Sequence, residues 1–290
     1  MSDHAPDHDL ETEQVQYQRA YYDQHFAKRE GAMREQLAHP MFQSFYDRLA
    51  IRVFDNAPPA AGDGVRLLEC GCGEGLLATA LRRVADKRGI DLAYTGTDLS
   101  ESALGLASEH VTGDLIPGDA MEVLAGLPTS SQDIVVIKNL LHHLDEPDTL
   151  LTEAARIVAP SGRVVVVEAC LGAPQFWVFS GFAPKRERYF FYGRRRNLTA
   201  IKAAGLRILD TSKFSWLPYE LAFAIRFDWF RKLLGTRDPA KLDKVSAVDD
   251  RLTKAVPALA SYIVWVTSPA PPPLASVPSN GTAEGSTNNV

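Results

Sequence analysis

Apolar and polar positions alternate along this chain in blocks that predict strands and helices in turn. Short apolar runs recur, and segments with apolar residues at helical spacing separate most of them. Such an alternation is typical of a doubly wound, mostly parallel α/β sheet with helices on both faces. The predicted strands are Val65–Glu69, Leu92–Asp98, Thr112–Pro117, Asp133–Lys138, Arg163–Glu168, Leu206–Phe214 and Ser261–Ser268.

The segments outside this alternation divide the chain further. Residues 1–14 are polar and acidic, which predicts disorder. Residues 15–60 carry two apolar faces at helical spacing and are predicted to form a helical cap. The main domain is assigned to residues 61–268. The tail, residues 269–290, is rich in Pro, Ser, Gly, Thr and Asn and is predicted to be disordered.

Composition narrows the class of protein. The 290 residues are 46% hydrophobic and 23% charged, as in ordinary globular proteins. The formal net charge of -5 gives no general attraction to nucleic acid. The three cysteines do not form a disulfide framework, so a reducing cytoplasm is expected. No apolar run approaches the ~20 residues of a membrane span.

One motif carries most of the chemistry. The first strand ends in an acid, Glu69, and three alternating glycines follow, Gly71, Gly73 and Gly75. Glycines allow a tight turn and a close approach of a ligand, and the helix that follows directs its unpaired N–H groups at the turn. The spacing differs from the Gly-x-Gly-x-x-Gly of NAD enzymes. The acid would repel a pyrophosphate but suits a cofactor with an ammonium and a sulfonium.

With this motif in a complete series of strands, residues 65–268 resemble the class I S-adenosylmethionine (SAM)-dependent methyltransferases, in their small-molecule or lipid-type branch. The resemblance implies a Rossmann-like, seven-stranded sheet whose final two strands form an antiparallel hairpin, with a helical N-terminal extension. It also implies SAM as the cofactor and S-adenosylhomocysteine (SAH) as the product.

The resemblance assigns roles to residues at the carboxyl ends of the strands. Glu69 should hold the methionine amino group, and Asp98 both ribose hydroxyls. Asp119 should accept a hydrogen bond from the adenine amine while the Ala120 N–H donates to the ring. Leu99 is expected to pack on the adenine. The remaining residues of the predicted cofactor site are Gly71, Cys72, Gly73, Gly75, Asn139, Leu140 and Tyr22. With Tyr21 and Phe26, Tyr22 either closes over the cofactor as a lid or packs as core.

The candidates for acid–base chemistry are His142 and Glu168. An imidazole titrates near neutrality, so His142 is a candidate base, and Glu168 is a candidate for positioning the acceptor or taking its proton. The adjacent His143 resembles a packed structural histidine of the family. These histidines lack metal-ligand spacing, and no metal is predicted. The Pro-Pro-aromatic step of amino-methylating nucleic-acid enzymes is absent here, which argues against base methylation.

Two inserts, at residues 171–197 and 215–258, are candidates for acceptor recognition. The first combines aromatic with basic residues, and the second opens on another aromatic stretch. This composition suggests an apolar acceptor with an anionic group. It also fits docking on an anionic membrane surface or a lid with solvated arginines. The candidate acceptor residues are Arg186, Arg188, Tyr192, Arg194, Arg195, Trp216 and Tyr219.

The sequence therefore predicts an enzyme that transfers a methyl group from SAM to a small organic or lipid-like acceptor. It is expected to be a cytoplasmic monomer or homodimer, with transient contact at a membrane surface as an option and no nucleic-acid partner. Two alternatives stay open. One is a SAM- or SAH-binding cyclase or regulator of the same fold, and the other is a peripheral membrane-binding module.

Overall fold

Seven strands form one sheet in the computed structural model, which describes residues 8–27, 37–56, 64–169, 194–215 and 238–270. The strand order is β3-β2-β1-β4-β5-β7-β6. Strands β1 to β5 are parallel, and β7 runs antiparallel to both β5 and β6. This confirms the predicted sheet with its antiparallel final hairpin. The strands are β1 (Val65–Cys70), β2 (Leu92–Asp98), β3 (Asp114–Pro117), β4 (Gln132–Lys138), β5 (Val158–Ala169), β6 (Leu206–Phe214) and β7 (Tyr262–Pro269).

Helices cover both faces of the sheet in the described part of the chain. They are α1 (His8–Ala27), α2 (Pro40–Asp55), α3 (Leu76–Arg88), α4 (Glu101–Ser108), α5 (Ala120–Gly126), α6 (Pro147–Ile157), α7 (Arg194–Ala203) and α8 (Pro239–Ala255). Two 3-10 helices span Leu141–His143 and Pro257–Leu259. Helices α2 and α3 pack on one face, and α5, α6 and α7 pack on the other. None of the helices in the described ranges is long and apolar enough to cross a membrane.

The central strands are buried from both sides, which explains their continuous apolar sequence. In β4, Ile134 and Val136 belong to the core on the α2–α3 side, whereas Val135 and Ile137 belong to the core on the other side. All four side chains are fully buried. A strand of this kind shows no alternation of polar and apolar residues because both of its faces are covered.

The boundaries differ from the sequence prediction at several elements. Helix α1 begins at His8, so its first seven residues overlap the stretch 1–14 for which the sequence predicts disorder. That stretch contains Leu and Glu, which have favourable helix propensity. Strand β3 begins at Asp114, because Gly113 has a φ of 145° that interrupts extended backbone. Strand β5 spans Val158–Ala169 instead of the predicted Arg163–Glu168.

The strand order places a cleft at the carboxyl ends of the central strands. β1 lies between β2 and β4, and the direction in which strands are added reverses there. Ligands of doubly wound sheets bind at such a switch point. The loops after β1, β2 and β4 therefore meet at one edge of the sheet, and these loops carry most of the predicted site residues.

Candidate functional site

The turn after β1 requires its glycines. Gly71, Gly73 and Gly75 have φ values of 70°, 54° and 78°, in the left-handed region that favours glycine. At Gly75 a Cβ atom would also clash with Cγ2 of Val111. The N–H of Gly71 donates to the carbonyl oxygen of Thr97 at 2.8 Å, which fixes the turn to the end of β2. The backbone of α3 then begins directly behind this turn.

Asp98 bridges the ends of β1 and β2. Its Oδ2 accepts a hydrogen bond from the N–H of Gly73 at 2.7 Å, and its Oδ1 accepts one from the N–H of Ser100 at 2.9 Å. Burial raises the pKa of Asp98, and these two N–H donors oppose that rise. The carboxylate is thus held in one orientation against the glycine turn.

Glu69 lies beneath the same turn. Its side chain is 2% exposed, and its Oε2 accepts a hydrogen bond from the hydroxyl of Tyr94 at 2.8 Å. Burial raises the pKa of Glu69 to about 7, although the Tyr94 hydrogen bond and the charge of Lys138 both act to lower it. A cation bound beside this group would favour its ionised form. The site therefore fits the ammonium of an amino-acid moiety.

The end of β3 is linked to Asp98 through a backbone hydrogen bond. The N–H of Gly118 donates to the carbonyl oxygen of Asp98 at 3.0 Å. Asp119 caps α5, since its Oδ1 accepts a hydrogen bond from the N–H of Met121 at 2.8 Å. The predicted adenine residues, Asp119 and Ala120, thus lie at the strand end next to Asp98. Leu99, which follows Asp98, is half-buried there.

Cys72 fills the space below the turn. Its side chain is 6% exposed, and its Sγ would lie 2.9 Å from a Cβ placed on Gly96. Burial is the largest cause that raises the pKa of its thiol, and the charges of Glu69 and Asp98 add to it. The thiol is therefore a small packed group beneath the glycine turn.

The loop after β4 closes the cleft from the other side. Asn139 has a φ of 51°, and its N–H donates to the carbonyl oxygen of Val167 at 2.8 Å. A Cβ on Gly71 would lie 3.4 Å from Cδ1 of Leu140. Asn139 and Leu140 are therefore brought beside the glycine turn.

A histidine–carboxylate pair follows in this loop. Nδ1 of His142 lies 2.7 Å from Oε2 of Glu168. The other oxygen of Glu168, Oε1, accepts hydrogen bonds from the N–H groups of Leu140 at 3.0 Å and Leu141 at 2.7 Å. His142 is 6% exposed and Glu168 is 2% exposed. One buried carboxylate thus holds both the loop backbone and the imidazole, a pairing that the sequence did not indicate.

His143 is packed and joined to the N-terminal helix. The hydroxyl of Tyr22 lies 3.1 Å from its Nε2 and 3.2 Å from its Nδ1, and Nε2 of Gln18 donates to its carbonyl oxygen at 3.1 Å. Burial lowers the pKa of His143 well below its ordinary value, and the adjacent His142 lowers it further. This geometry agrees with the structural role that the sequence predicts for His143.

Helix α1 covers the cleft from above. Oδ1 of Asp23 accepts hydrogen bonds from the hydroxyl of Ser100 at 2.6 Å and from the N–H of Ser102 at 3.2 Å. A Cβ on Gly73 would lie 3.7 Å from Cζ of Phe26. With the Tyr22 contact, α1 touches the loops after β1, β2 and β4. The sequence analysis identified the aromatic residues of this helix but missed Asp23, although Asp23 stands between Tyr22 and Phe26 in the sequence.

The predicted acceptor residues are only partly described. Arg194 and Arg195 are exposed in the first turn of α7. Their neighbour Arg196 instead donates from its guanidinium to the carbonyl oxygens of Leu144 and Asp145, so it supports the loop that carries His142. Five further candidates lie outside the described residues, namely Arg186, Arg188, Tyr192, Trp216 and Tyr219.

Comparison with known proteins gives the same family. Residues 68–166 match the family described as "Methyltransferase domain". A ubiquinone biosynthesis O-methyltransferase from Dechloromonas aromatica (strain RCB) is 34% identical over 129 residues, which are 42% of this chain and 52% of that protein. The chain thus spans about half the length of the curated relatives it matches.

Solved structures share the fold. A SAM-dependent methyltransferase from Archaeoglobus fulgidus has a TM-score of 0.51 at 15% identity, covering 78% of this chain and 93% of that one. The cyclase SpnF has a TM-score of 0.51 at 24% identity, covering 78% of this chain and 81% of that one. Identities this low show the fold alone. Residues 68–166 thus match a methyltransferase domain family, and the sheet topology and the glycine turn agree with the fold of class I SAM-dependent methyltransferases.

Proposed function

We propose that this protein transfers the methyl group of SAM to a hydroxyl group of a small organic or lipid-like acceptor that is apolar and bears an anionic group. One arrangement carries the proposal. The carboxylates of Glu69 and Asp98 flank the glycine turn, and the buried pair joins His142, in the loop after β4, to Glu168, at the end of β5.

The cofactor side is supported by the chemistry of the groups present. Glu69 would bind the ammonium of the methionine moiety and Asp98 the two ribose hydroxyls, because a fixed carboxylate accepts two hydroxyls in a bidentate manner. Asp119 and the N–H of Ala120 would bind the adenine edge, with Leu99 against its face. Leu140, Asn139 and Tyr22 would enclose the sulfonium end. SAM supplies an electrophilic methyl group whose bond to sulfur breaks as the bond to the acceptor oxygen forms.

The acceptor side is supported by His142. Its Nδ1–H would donate to Glu168, and its Nε2 would take the hydroxyl proton as the methyl group is transferred. Glu168 would then stabilise the imidazolium, as the buried acid does in other histidine–carboxylate pairs. The curated relatives named as O-methyltransferases agree with a hydroxyl acceptor.

The acceptor class is supported by the residues next to this pair. Arg194 and Arg195 lie exposed at the start of α7, and guanidinium groups bind carboxylate or phosphate well. Arg186, Arg188, Tyr192, Trp216 and Tyr219 remain predictions for the same role. Phenols with an apolar substituent are the first class of acceptor to examine, because they carry a hydroxyl group on an apolar ring.

Turnover with a matched panel of acceptors tests the proposal. Purified protein is incubated with methyl-labelled SAM and phenols that differ only in a carboxylate or in an alkyl chain, and methylated product and SAH are measured together. We expect one O-methylated product per SAH, with the anionic, apolar phenols used best. SAH binding without turnover across the panel would favour a cyclase or regulator, and failure to bind SAH would overturn the cofactor assignment. Flotation with anionic liposomes examines the membrane-module alternative separately.

A further inference from the structure

Lys138 and Glu69 share one face of the sheet at its carboxyl edge. In the parallel pairing of β1 with β4, Glu69 lies opposite Val136. Partners in register project to the same face, and side chains two residues apart on a strand also share a face. Lys138, two residues after Val136, therefore extends along the same side of the edge as Glu69.

Contacts with α2 and β2 fix the two charged groups. Nζ of Lys138 lies 5.4 Å from the centroid of the Tyr46 ring, a cation–π distance. Tyr46 is 4% exposed and belongs to the core under α2. Glu69 is held from its other side by the hydroxyl of Tyr94. The charge of Lys138 also acts on Glu69 and lowers its pKa, so the two groups are close enough to interact.

This face differs from the one that holds the acid–base pair. Val167 pairs with Lys138, and its side chain lies in the core on the α2–α3 face of the sheet. Glu168 is the next residue along the strand, so it projects to the opposite face. The side chain of Lys138 thus projects from the face of the sheet opposite to that of Glu168. It lies instead with Glu69 and next to the glycine turn, on the cofactor side of the cleft.

We propose that Lys138 binds the α-carboxylate of the methionine moiety of SAM while Glu69 binds its ammonium, so that the two side chains together recognise the zwitterionic end of the cofactor. An anion and a cation at the ends of adjacent strands match the ammonium and carboxylate of one amino acid. A charge-assisted hydrogen bond of this kind contributes enough to bind SAM roughly ten- to a hundredfold more tightly than an analogue without the carboxylate. This inference rests on the proposed function.

Calorimetric titration with truncated cofactors tests it without knowledge of the acceptor. The probes are SAM, decarboxylated SAM, and methylthioadenosine, which lacks the whole amino acid. The wild type is compared with Lys138→Met, with Lys138→Arg, and with Lys202→Met as a control at an exposed lysine of α7. Circular dichroism and thermal unfolding verify that each variant is folded.

We expect the wild type, Lys138→Arg and Lys202→Met to prefer SAM over decarboxylated SAM by roughly tenfold or more. Lys138→Met should lose that preference and bind methylthioadenosine with unchanged affinity. If Lys138→Met still prefers SAM over decarboxylated SAM, the proposal is overturned. It is also overturned if the wild type binds SAM and decarboxylated SAM equally, a result that does not require the variant to fold. Because SAM still binds in both of those outcomes, they leave the proposed function intact, whereas failure of the wild type to bind any probe refutes both.

Discussion

The Glu168 carboxylate accepts a hydrogen bond from the His142 imidazole while it also accepts two from the backbone of the same loop. The distances are 2.7 Å to Nδ1 of His142, 3.0 Å to the N–H of Leu140 and 2.7 Å to the N–H of Leu141. Both oxygens of this buried group are therefore engaged within the protein. Glu168 holds both the loop backbone and the imidazole of His142. Glu168 is therefore a positioning residue, and His142 is the candidate base.

Replacing Glu168 should destabilise the fold. Glu168→Ala leaves three buried donors without their acceptor, which we expect to lower the free energy of unfolding by about 3–5 kcal/mol. Glu168→Gln keeps an oxygen for the loop N–H groups and should cost about half as much. Urea titrations of both variants measure this, with Glu101→Ala as a control at an exposed acid. An Ala variant within about 1 kcal/mol of the wild type contradicts the assignment.

Replacing His142 should impair the chemical step and spare cofactor binding. We expect His142→Gln to lower kcat by roughly 10²- to 10⁴-fold with the acceptor that the turnover screen identifies. SAH affinity should stay within about threefold, since His142 lies on the acceptor side of the cleft. Steady-state kinetics and calorimetry on the same preparation separate the two effects. Normal kcat in a folded His142→Gln protein would exclude this residue as the base.

Replacing Asp98 should abolish cofactor binding. Asp98→Ala removes the carboxylate proposed to accept the ribose hydroxyls, and with it the hydrogen bond that fixes the N–H of Gly73. We expect SAH affinity to fall by at least roughly a hundredfold. The matched control is Asp114→Ala, an exposed carboxylate at the start of β3. If calorimetry shows Asp98→Ala binding SAH within a few-fold of the wild type, the ribose assignment is wrong.

Cofactor binding should be linked to proton release from Glu69. The pKa of Glu69 in the free protein is about 7, and a bound ammonium favours the ionised carboxylate. Binding of SAH therefore releases a proton below about pH 7, and affinity rises with pH up to that point and then levels off. Calorimetry in buffers of different ionisation enthalpy counts the protons. A wild-type affinity that does not change with pH would contradict this linkage.

The same group should make the stability of the free protein depend on pH. The native pKa of Glu69 lies above its ordinary value of 4.5, so the native state binds the proton more tightly than the unfolded state. This contribution to stability is complete below about pH 4.5 and is lost as the pH rises to about 7. In Glu69→Gln this loss should be absent. Thermal unfolding of both proteins across this range shows the difference.

The three arginines at the start of α7 should not behave alike. Arg194→Ala with Arg195→Ala should leave folding and SAH affinity unchanged and raise the KM of an anionic acceptor. Arg196→Ala removes donors from the carbonyl oxygens of Leu144 and Asp145, so it should lower stability by about 1–3 kcal/mol. Kinetics at two salt concentrations measure the effect of the Arg194 and Arg195 double variant on KM. Urea titrations measure the effect of Arg196→Ala on stability. An unchanged KM in the double variant would exclude the anionic-group role of these two residues.

The sequence by itself determined the elements and the cofactor turn. The alternating glycines from Gly71 to Gly75 predicted a tight turn, and their φ values are positive. The apolar run of β4 predicted a strand, and both faces of that strand are buried. The N-cap of α4 is equally local, since the side chain of Ser100 accepts a hydrogen bond from the N–H of Ala103. These signals are local, because backbone conformation, capping and periodic burial depend on residues a few positions apart.

Only the tertiary structure decided which distant groups meet. His142 and Glu168 are 26 residues apart, and Tyr22 and His143 are 121 apart. Lys138 and Glu69 share a face only because β1 and β4 are paired in one register. Arg196 reaches the His142 loop, while Arg194 and Arg195 do not make that contact among the described residues. Contacts of this kind depend on strand order, register and helix packing, which leave no pattern in the sequence near either partner.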